Sequence, residues 1–232
     1  MLMDYYELTM SNGYFEKGFK DKMVVFDMFY RKNPDNGGFV VSAGLEQLIE
    51  YIENMHFSKE DIEFLRSKGE FSEGFLQYLA DFKFTGNIDA LPEGTICYPN
   101  TPIVTVTAPV IEAQLIETML LLTMNFQSLI ATKASRICRT AAESGAVVME
   151  FGARRAHGGD AAILGARAAY IGGAAATATV MADERFGVPA IGTMAHSWIQ
   201  FFDNEYEAFK AYAEVYPDNC TLLIDTYDIL NS

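Results

Sequence analysis

Three short stretches of the chain carry side chains able to do chemistry, and two of them set those side chains among glycines. The first is Phe151–Asp160, FGARRAHGGD, in which Arg154 and Arg155 stand side by side. A guanidinium fork donates two parallel hydrogen bonds, so paired arginines among glycines suit a carboxylate or a phosphate. The competing role for either arginine is an ion pair with Glu150 or Asp160. The second stretch is Ile191–Trp198, IGTMAHSW, where His196 follows Gly192-Thr193 and precedes Ser197. A neutral imidazole there can serve as general base, metal ligand or nucleophile toward phosphorus, or simply as a hydrogen-bonded structural residue. The third is Leu222–Asp228, LLIDTYD, where Asp225 and Thr226 follow an apolar run.

Spacing argues against several other chemistries. His56 and His157 do not stand at ligand spacing from His196, so no protein-built metal site is expected. There is no GxSxG, and Ser197 adjoins His196, which disfavours a Ser-His-Asp hydrolase. A Walker A loop is absent, and Gly172-Gly173 alone is too little for a dinucleotide fingerprint.

The elements that must position these residues fall into two regimes. Up to Pro109 the pattern mixes helices and strands without regular order, and an N-terminal α+β domain is expected over residues 1–109. Val24–Tyr30 reads as a strand and Asn33–Gly38 as a turn. Leu45, Leu48, Ile49, Ile52 and Met55 recur at helical spacing, which predicts a helix over Ala43–His56. Ser58 should cap the next helix through the amides near Asp61, with Phe57 stapled on Ile62 and Gly69 ending it. Phe84–Asp89 and the β-branched Ile103–Thr107 read as strands separated by turns. From Val110 to about Glu143 the pattern is helical, with a break expected near Asn125.

Beyond that point the pattern repeats. Ala146–Glu150, Val188–Gly192 and Thr221–Asp225 read as buried strands, separated by helices at Ala161–Tyr170, Val180–Phe186 and Glu205–Glu214. Apolar strands without alternation, separated by helices, are the mark of parallel β/α units. Reactive groups in such folds sit at the carboxyl ends of strands, where all three stretches fall. The fold class expected is therefore α/β. Residues 110–232 would supply a helical connection and the first half of an irregular parallel β/α (TIM-like) barrel. A full barrel takes about 250 residues and eight strands, so the chain reads as the N-terminal portion of something longer.

Composition narrows the partners. The 232 residues are 50% hydrophobic and 21% charged, with 17 Lys+Arg against 31 Asp+Glu and a formal charge of −14. Such a chain repels nucleic acid and anionic membrane surfaces. Yet Lys133, Arg136, Arg139, Arg154, Arg155 and Arg167 cluster between Ser128 and Arg167, a candidate anion site within an acidic protein. Cys97, Cys138 and Cys220 are odd in number and form no CxxC pair, which suggests reduced thiols and a cytoplasmic setting. MLMDYYELTM has no basic stretch before an apolar run, so no signal peptide is expected, and glutamates break the apolar window Val110–Met124.

Taken in order, the blocks DYYELTM, FDMFY with Arg31, GGF, LPEG, EFGARRA, GTMAHS and LLIDTYD resemble the nicotinate phosphoribosyltransferases along nearly the whole chain. The resemblance implies transfer of nicotinate to phosphoribosyl pyrophosphate, giving nicotinate mononucleotide, with ATP and Mg²⁺ required and ATP hydrolysis coupled through a phosphohistidine. It assigns the phosphohistidine to His196 and nicotinate contacts to Tyr6 and Thr193. The arginine pair Arg154 and Arg155 would serve anionic substrates, with Ser197 beside the histidine and Asp225 and Thr226 near ribose and magnesium. It also implies a homodimer whose sites are shared, so that Tyr6 serves a neighbouring subunit. Two positions depart from the pattern: Gly159 where proline is expected, and Thr179 where asparagine is common. Related activities on nicotinamide or quinolinate, and a non-catalytic truncated chain, are the alternatives.

Overall fold

A computed structural model describes residues 1–232. Ten α-helices and seven short strands make a mixed α/β molecule. The first part opens with α1 (Tyr5–Glu16), which no periodicity had marked, and β1 (Met23–Met28). A left-handed turn at Asp35 and Asn36 leads to β2 (Val40–Val41). Then come α2 (Leu45–Asn54), α3 (Lys59–Ser67) and α4 (Glu73–Ala80). The capping box expected at Ser58 is present: its hydroxyl accepts from Asp61 N at 3.1 Å while Asp61 accepts from Ser58 N at 2.9 Å. Gly69, at φ 69°, ends that helix.

The strands β3 (Asn87–Ala90), β4 (Ile96–Cys97) and β5 (Val104–Pro109) complete two antiparallel sheets, ordered β1-β5-β3 and β2-β4. In β5 the alternating burial of Val104, Val106 and Ala108 follows the two-residue pleat. One cluster of 25 buried apolar residues holds this part together and runs on into α5 (Val110–Leu115) and α6 (Glu117–Glu143) through Met124. The long helix does break, but at Ile116 and not near Asn125. At the break the Thr118 amide bonds the Glu7 carboxylate of α1 at 3.0 Å instead of a helical carbonyl. Around Asn125 the opposite holds: Met124, Gln127 and Ser128 are buried, and packing keeps the helix continuous.

The second part is more thinly packed. Two clusters of four buried residues, mostly alanine and valine, replace the large core. β6 (Met149–Glu150) pairs in parallel with β7 (Ala176–Thr177), and Thr177 bridges in parallel to Ala190. Parallel pairing across intervening helices therefore exists, in ladders of one or two residues. Between these lie α7 (Gly159–Ile171) and α8 (Val180–Phe186), followed by α9 (His196–Phe201) and α10 (Glu205–Val215). The strand expected over Thr221–Asp225 does not form. Leu222 and Ile224 stay 38% and 43% exposed, so the burial that would fix a ladder register is lacking. The strand expected over Val188–Gly192 shrinks to the Ala190 bridge.

A buried ion cluster joins the two parts. Arg167 of α7, 7% exposed, donates to both Glu93 oxygens at 2.9 and 2.6 Å, to Gln127 at 3.2 Å, and to Glu46. Glu93 also accepts the Gly44 and Leu45 amides at 2.5 and 3.1 Å, capping α2. Two members of the basic segment are thus committed internally: Arg167 here, and Arg136 to Asp35 at 2.6 Å. This leaves Lys133 and Arg139 of α6 and the arginines of the glycine-rich loop, Arg154 and Arg155, as candidates for an anion. Close approach of α7 to α6 depends on Gly172, where a Cβ would lie 2.5 Å from the Ala131 carbonyl.

Candidate functional site

The ends of the parallel segments bring the reactive stretches together. Thr193 follows the Ala190 bridge, and its hydroxyl donates to the Thr221 carbonyl. His196 begins α9, and its Nε2 lies 3.1 Å from Asp225 Oδ1, both side chains about half exposed at 53%. The segment 221–225 is therefore held beside 193–196 by two side-chain contacts in place of a ladder. When Nε2–H donates to Asp225, the Nδ1 lone pair is left free as a nucleophile, and the carboxylate stabilises any positive charge that forms on the ring.

A cleft of about 660 Å³ begins next to His196. Arg154, Gly192, Thr193 and Ala195 line it together with Tyr212 and Tyr216 of α10. The two tyrosines pack with ring centres 4.9 Å apart. In the sequence the signal for this pair is two aromatics four apart on a helix, which place both rings on one face. Trp198, next in the chain, is anchored by donating Nε1–H to the Ala208 carbonyl at 3.1 Å. Ser197 is exposed on the same turn as His196.

The arginine pair is split by the 3-10 turn Ala153–Arg155 that carries it. Arg154 faces the cleft, whereas Arg155 lines a separate cavity of about 280 Å³ with Glu150 and His157. Neither arginine forms an ion pair within the chain, so the pairing with Glu150 or Asp160 that the sequence allowed is not made. Glu150 instead accepts from the Gly152 amide at 2.5 Å and the Thr177 hydroxyl at 2.6 Å, which fixes the loop. Two guanidinium groups in a glycine-rich loop are left free to meet anions.

Tyr6 does not join this group. It lies on α1 beside Glu117 and is no part of the cleft wall. Partial burial, then the Glu117 carboxylate and the charges of Glu7 and Asp4, push its phenol up to about 12, so it stays a neutral, stackable ring at physiological pH. Tyr6 is 43% exposed, and the Glu117 beside it lines an apolar groove with Val25, Phe26, Phe29 and Leu121.

Comparison with solved structures gives the class first. The crystal structure of human nicotinic acid phosphoribosyltransferase matches with a TM-score of 0.89 and 28% identity, over 99% of this chain and 55% of that one. A nicotinate-nucleotide pyrophosphorylase from Pyrococcus furiosus matches with a TM-score of 0.74 and 26% identity, over 98% of this chain and 50% of that one. The fold is thus that of the nicotinate phosphoribosyltransferases and related phosphoribosyltransferases.

The model of the nicotinate phosphoribosyltransferase (NAPRTase) N-terminal domain matches residues 1–125. A nicotinate phosphoribosyltransferase of Mycobacterium tuberculosis, pncB2, is 45% identical over 230 residues, 99% of this chain and 49% of that protein. The nicotinate phosphoribosyltransferase of Bacillus subtilis is 46% identical over 229 residues, 99% of this chain and 46% of that protein. The chain belongs to the nicotinate phosphoribosyltransferase family. It spans about half the length of these relatives.

Proposed function

We propose that the protein joins nicotinate to the ribose of phosphoribosyl pyrophosphate, giving nicotinate mononucleotide and pyrophosphate, with ATP hydrolysis coupled through His196. The observation that carries this reading is the His196–Asp225 contact at 3.1 Å, set beside a cleft that Arg154 and Thr193 line. The family membership and the relatives that are nicotinate phosphoribosyltransferases support the choice of substrates. Residues 1–109 form the first unit of this reading, and residues 110–232 open an irregular TIM-like barrel.

The chemistry follows from the residues. The Nδ1 lone pair of His196 attacks the terminal phosphorus of ATP, the P–O bond to ADP breaks, and ADP leaves with that electron pair. The ring keeps its Nε2 proton against Asp225, which neutralises the cationic phosphohistidine. The new phosphoryl charge arises beside Thr193 and Arg154 and reorganises that part of the cleft, linking ATP to substrate affinity. In the transfer itself the nicotinate ring nitrogen displaces pyrophosphate at the anomeric carbon. Guanidinium groups of Arg154 and Arg155 hold anionic groups and stabilise the departing charge.

Magnesium fits the residues present. No group of three His, Cys, Asp or Glu forms a protein-only cage. Mg²⁺ ordinarily uses one or two carboxylates and completes its shell with substrate phosphates. Asp225 is such a carboxylate, and next to it the Thr226 hydroxyl oxygen is buried without a partner. When bound, the ion would neutralise pyrophosphate.

A homodimer belongs to the same reading. Tyr6 stands away from the cleft, exposed beside a groove lined by Val25, Phe26, Phe29 and Leu121, which suits a ring that stacks on nicotinate in a neighbouring subunit. No helix is long and apolar enough to cross a membrane, and all three cysteines are free, as suits the cytoplasm.

Incubation with terminally labelled ATP tests the proposal. We expect acid-labile, alkali-stable label on wild type and none on His196→Asn, together with ATP-dependent formation of nicotinate mononucleotide. Product formation from quinolinate or nicotinamide in preference to nicotinate would overturn the substrate assignment, and undiminished label on His196→Asn would overturn the site.

A further inference from the structure

We infer that Glu7 and Thr118 form a latch that orients Tyr6, making both of them positioning residues for nicotinate binding. The inference rests on the reading of Tyr6 as a base contact given above.

The latch is built from the break between α5 and α6. A continuous helix would engage the amide of Thr118, but the break at Ile116 frees it to point at α1. Glu7, fully buried, supplies the acceptor: its Oε1 takes the Thr118 amide at 3.0 Å and the Thr118 hydroxyl as well. Having donated its proton, that hydroxyl accepts the Asp4 N–H at 3.1 Å. The ring closes because the Asp4 carbonyl accepts the Glu7 N–H at 3.0 Å. Residues 4 and 7 are thus tied to one threonine, and the first turn of α1 between them has no freedom to rotate.

Within that turn the two tyrosines have different fates. Tyr5 is anchored by donating its hydroxyl to Glu70 at 2.7 Å and by an edge contact to Phe71 at 5.9 Å. Tyr6 instead stays 43% exposed with its hydroxyl beside the Glu117 carboxylate, and the backbone that carries it is fixed by the latch.

Stability alone accounts poorly for the arrangement. The second Glu7 oxygen, Oε2, is buried without a partner, and so is the Ser11 hydroxyl one turn further along α1. A buried polar atom with no hydrogen bond is destabilising, and a serine or asparagine could cap the helix without burying a carboxylate. What the carboxylate adds is reach and two-point geometry between helices. A local cost without local compensation is the pattern of a site held for function.

Substitution in the full-length protein tests the latch. Thr118→Val keeps the amide bond to Glu7, and so keeps the fold, but removes both hydroxyl contacts. The KM for nicotinate should rise about tenfold, while kcat and the KM for phosphoribosyl pyrophosphate stay within about twofold. Thr118→Ser should restore the wild-type value, and Glu7→Gln should raise the KM for nicotinate in the same direction. A Thr118→Val protein that melts earlier but keeps its KM for nicotinate, while Tyr6→Ala loses it, would overturn the latch and leave the base-contact reading intact. If Tyr6→Ala itself leaves that KM unchanged, the base-contact reading fails and the latch fails with it.

Discussion

Replacing Arg167 by methionine probes the joint between the two parts of the molecule. The Arg167 side chain sits 9% exposed between the side chains of Glu93, 20% exposed, and Glu46, 60% exposed. The Glu46 pair is largely solvated and should contribute about 0–1 kcal/mol. Glu93 matters more. Removing one partner of a buried pair costs about 3–5 kcal/mol because the other charge is stranded. The Gly44 and Leu45 amides still hold Glu93 after the change, so the low end applies, about 3 kcal/mol. For a chain of this size that corresponds to about 6–12 °C in Tm.

The effect has a pH signature. Burial alone would raise the Glu93 carboxyl, but hydrogen bonds and charge from Arg167 and the two amides outweigh it and hold the group below its usual 4.5. A depressed carboxylate contributes stability that is present above its unfolded value and is lost as pH falls through the folded one. The gap between wild type and Arg167→Met should therefore be constant from pH 8 to about pH 5 and close below that. Adding Glu93→Gln to Arg167→Met removes the stranded charge and should recover about 2 kcal/mol. Urea unfolding at several pH values reads all of this. A single variant within about 1 kcal/mol of wild type, or a double variant no better than the single, would refute the reasoning.

Three further outcomes follow from the geometry. Gly172→Ala should destabilise by about 1–3 kcal/mol, because the added carbon meets the Ala131 carbonyl at 2.5 Å and Ala134 Cβ at 2.7 Å; calorimetry reads the lowered Tm. Gly159→Pro should stabilise by about 0.4–1 kcal/mol. Gly159 opens α7, where an amide has no intrahelical acceptor, a Cβ there meets nothing within 4 Å, and Gly158 before it, at φ 119° and ψ 168°, lies outside the α region that a following proline disfavours; a lower Tm would count against this account. Asp225→Asn should slow phosphorylation of His196 by at least about 100-fold, since an amide can turn its N–H toward Nε2 and shift the ring proton to Nδ1. Unchanged incorporation of label would remove Asp225 from the mechanism.

Local rules were legible where one segment decides its own structure. The Ser58 box, the strand at Ile103–Thr107 and the amphipathic helix around Leu48 each follow from spacing within a few residues. The break in the long helix did not, because the acceptor that takes the amide at the break is Glu7, more than a hundred residues away in sequence. Arg167 was misplaced for the same reason: in a basic run it looks like part of an anion site, and only the fold brings Glu93 and Glu46 to it. The block LPEG, one carrier of the family resemblance, turns out to be scaffold, with Glu93 capping α2 and neutralising Arg167.

The reactive residues show the converse. Their types could be read at once, and so could the place of the first two stretches after parallel segments. Their mutual geometry could not, since the strand expected at Thr221–Asp225 is absent and Asp225 reaches His196 from a loop. Nor could the sequence divide Arg154 from Arg155, which a single 3-10 turn sends to different cavities. That division gives the adjacent arginines separable duties. Arg154→Lys should disturb whatever binds beside Thr193, and Arg155→Lys whatever reaches the Glu150–His157 cavity, although a motif reading treats the two as one unit.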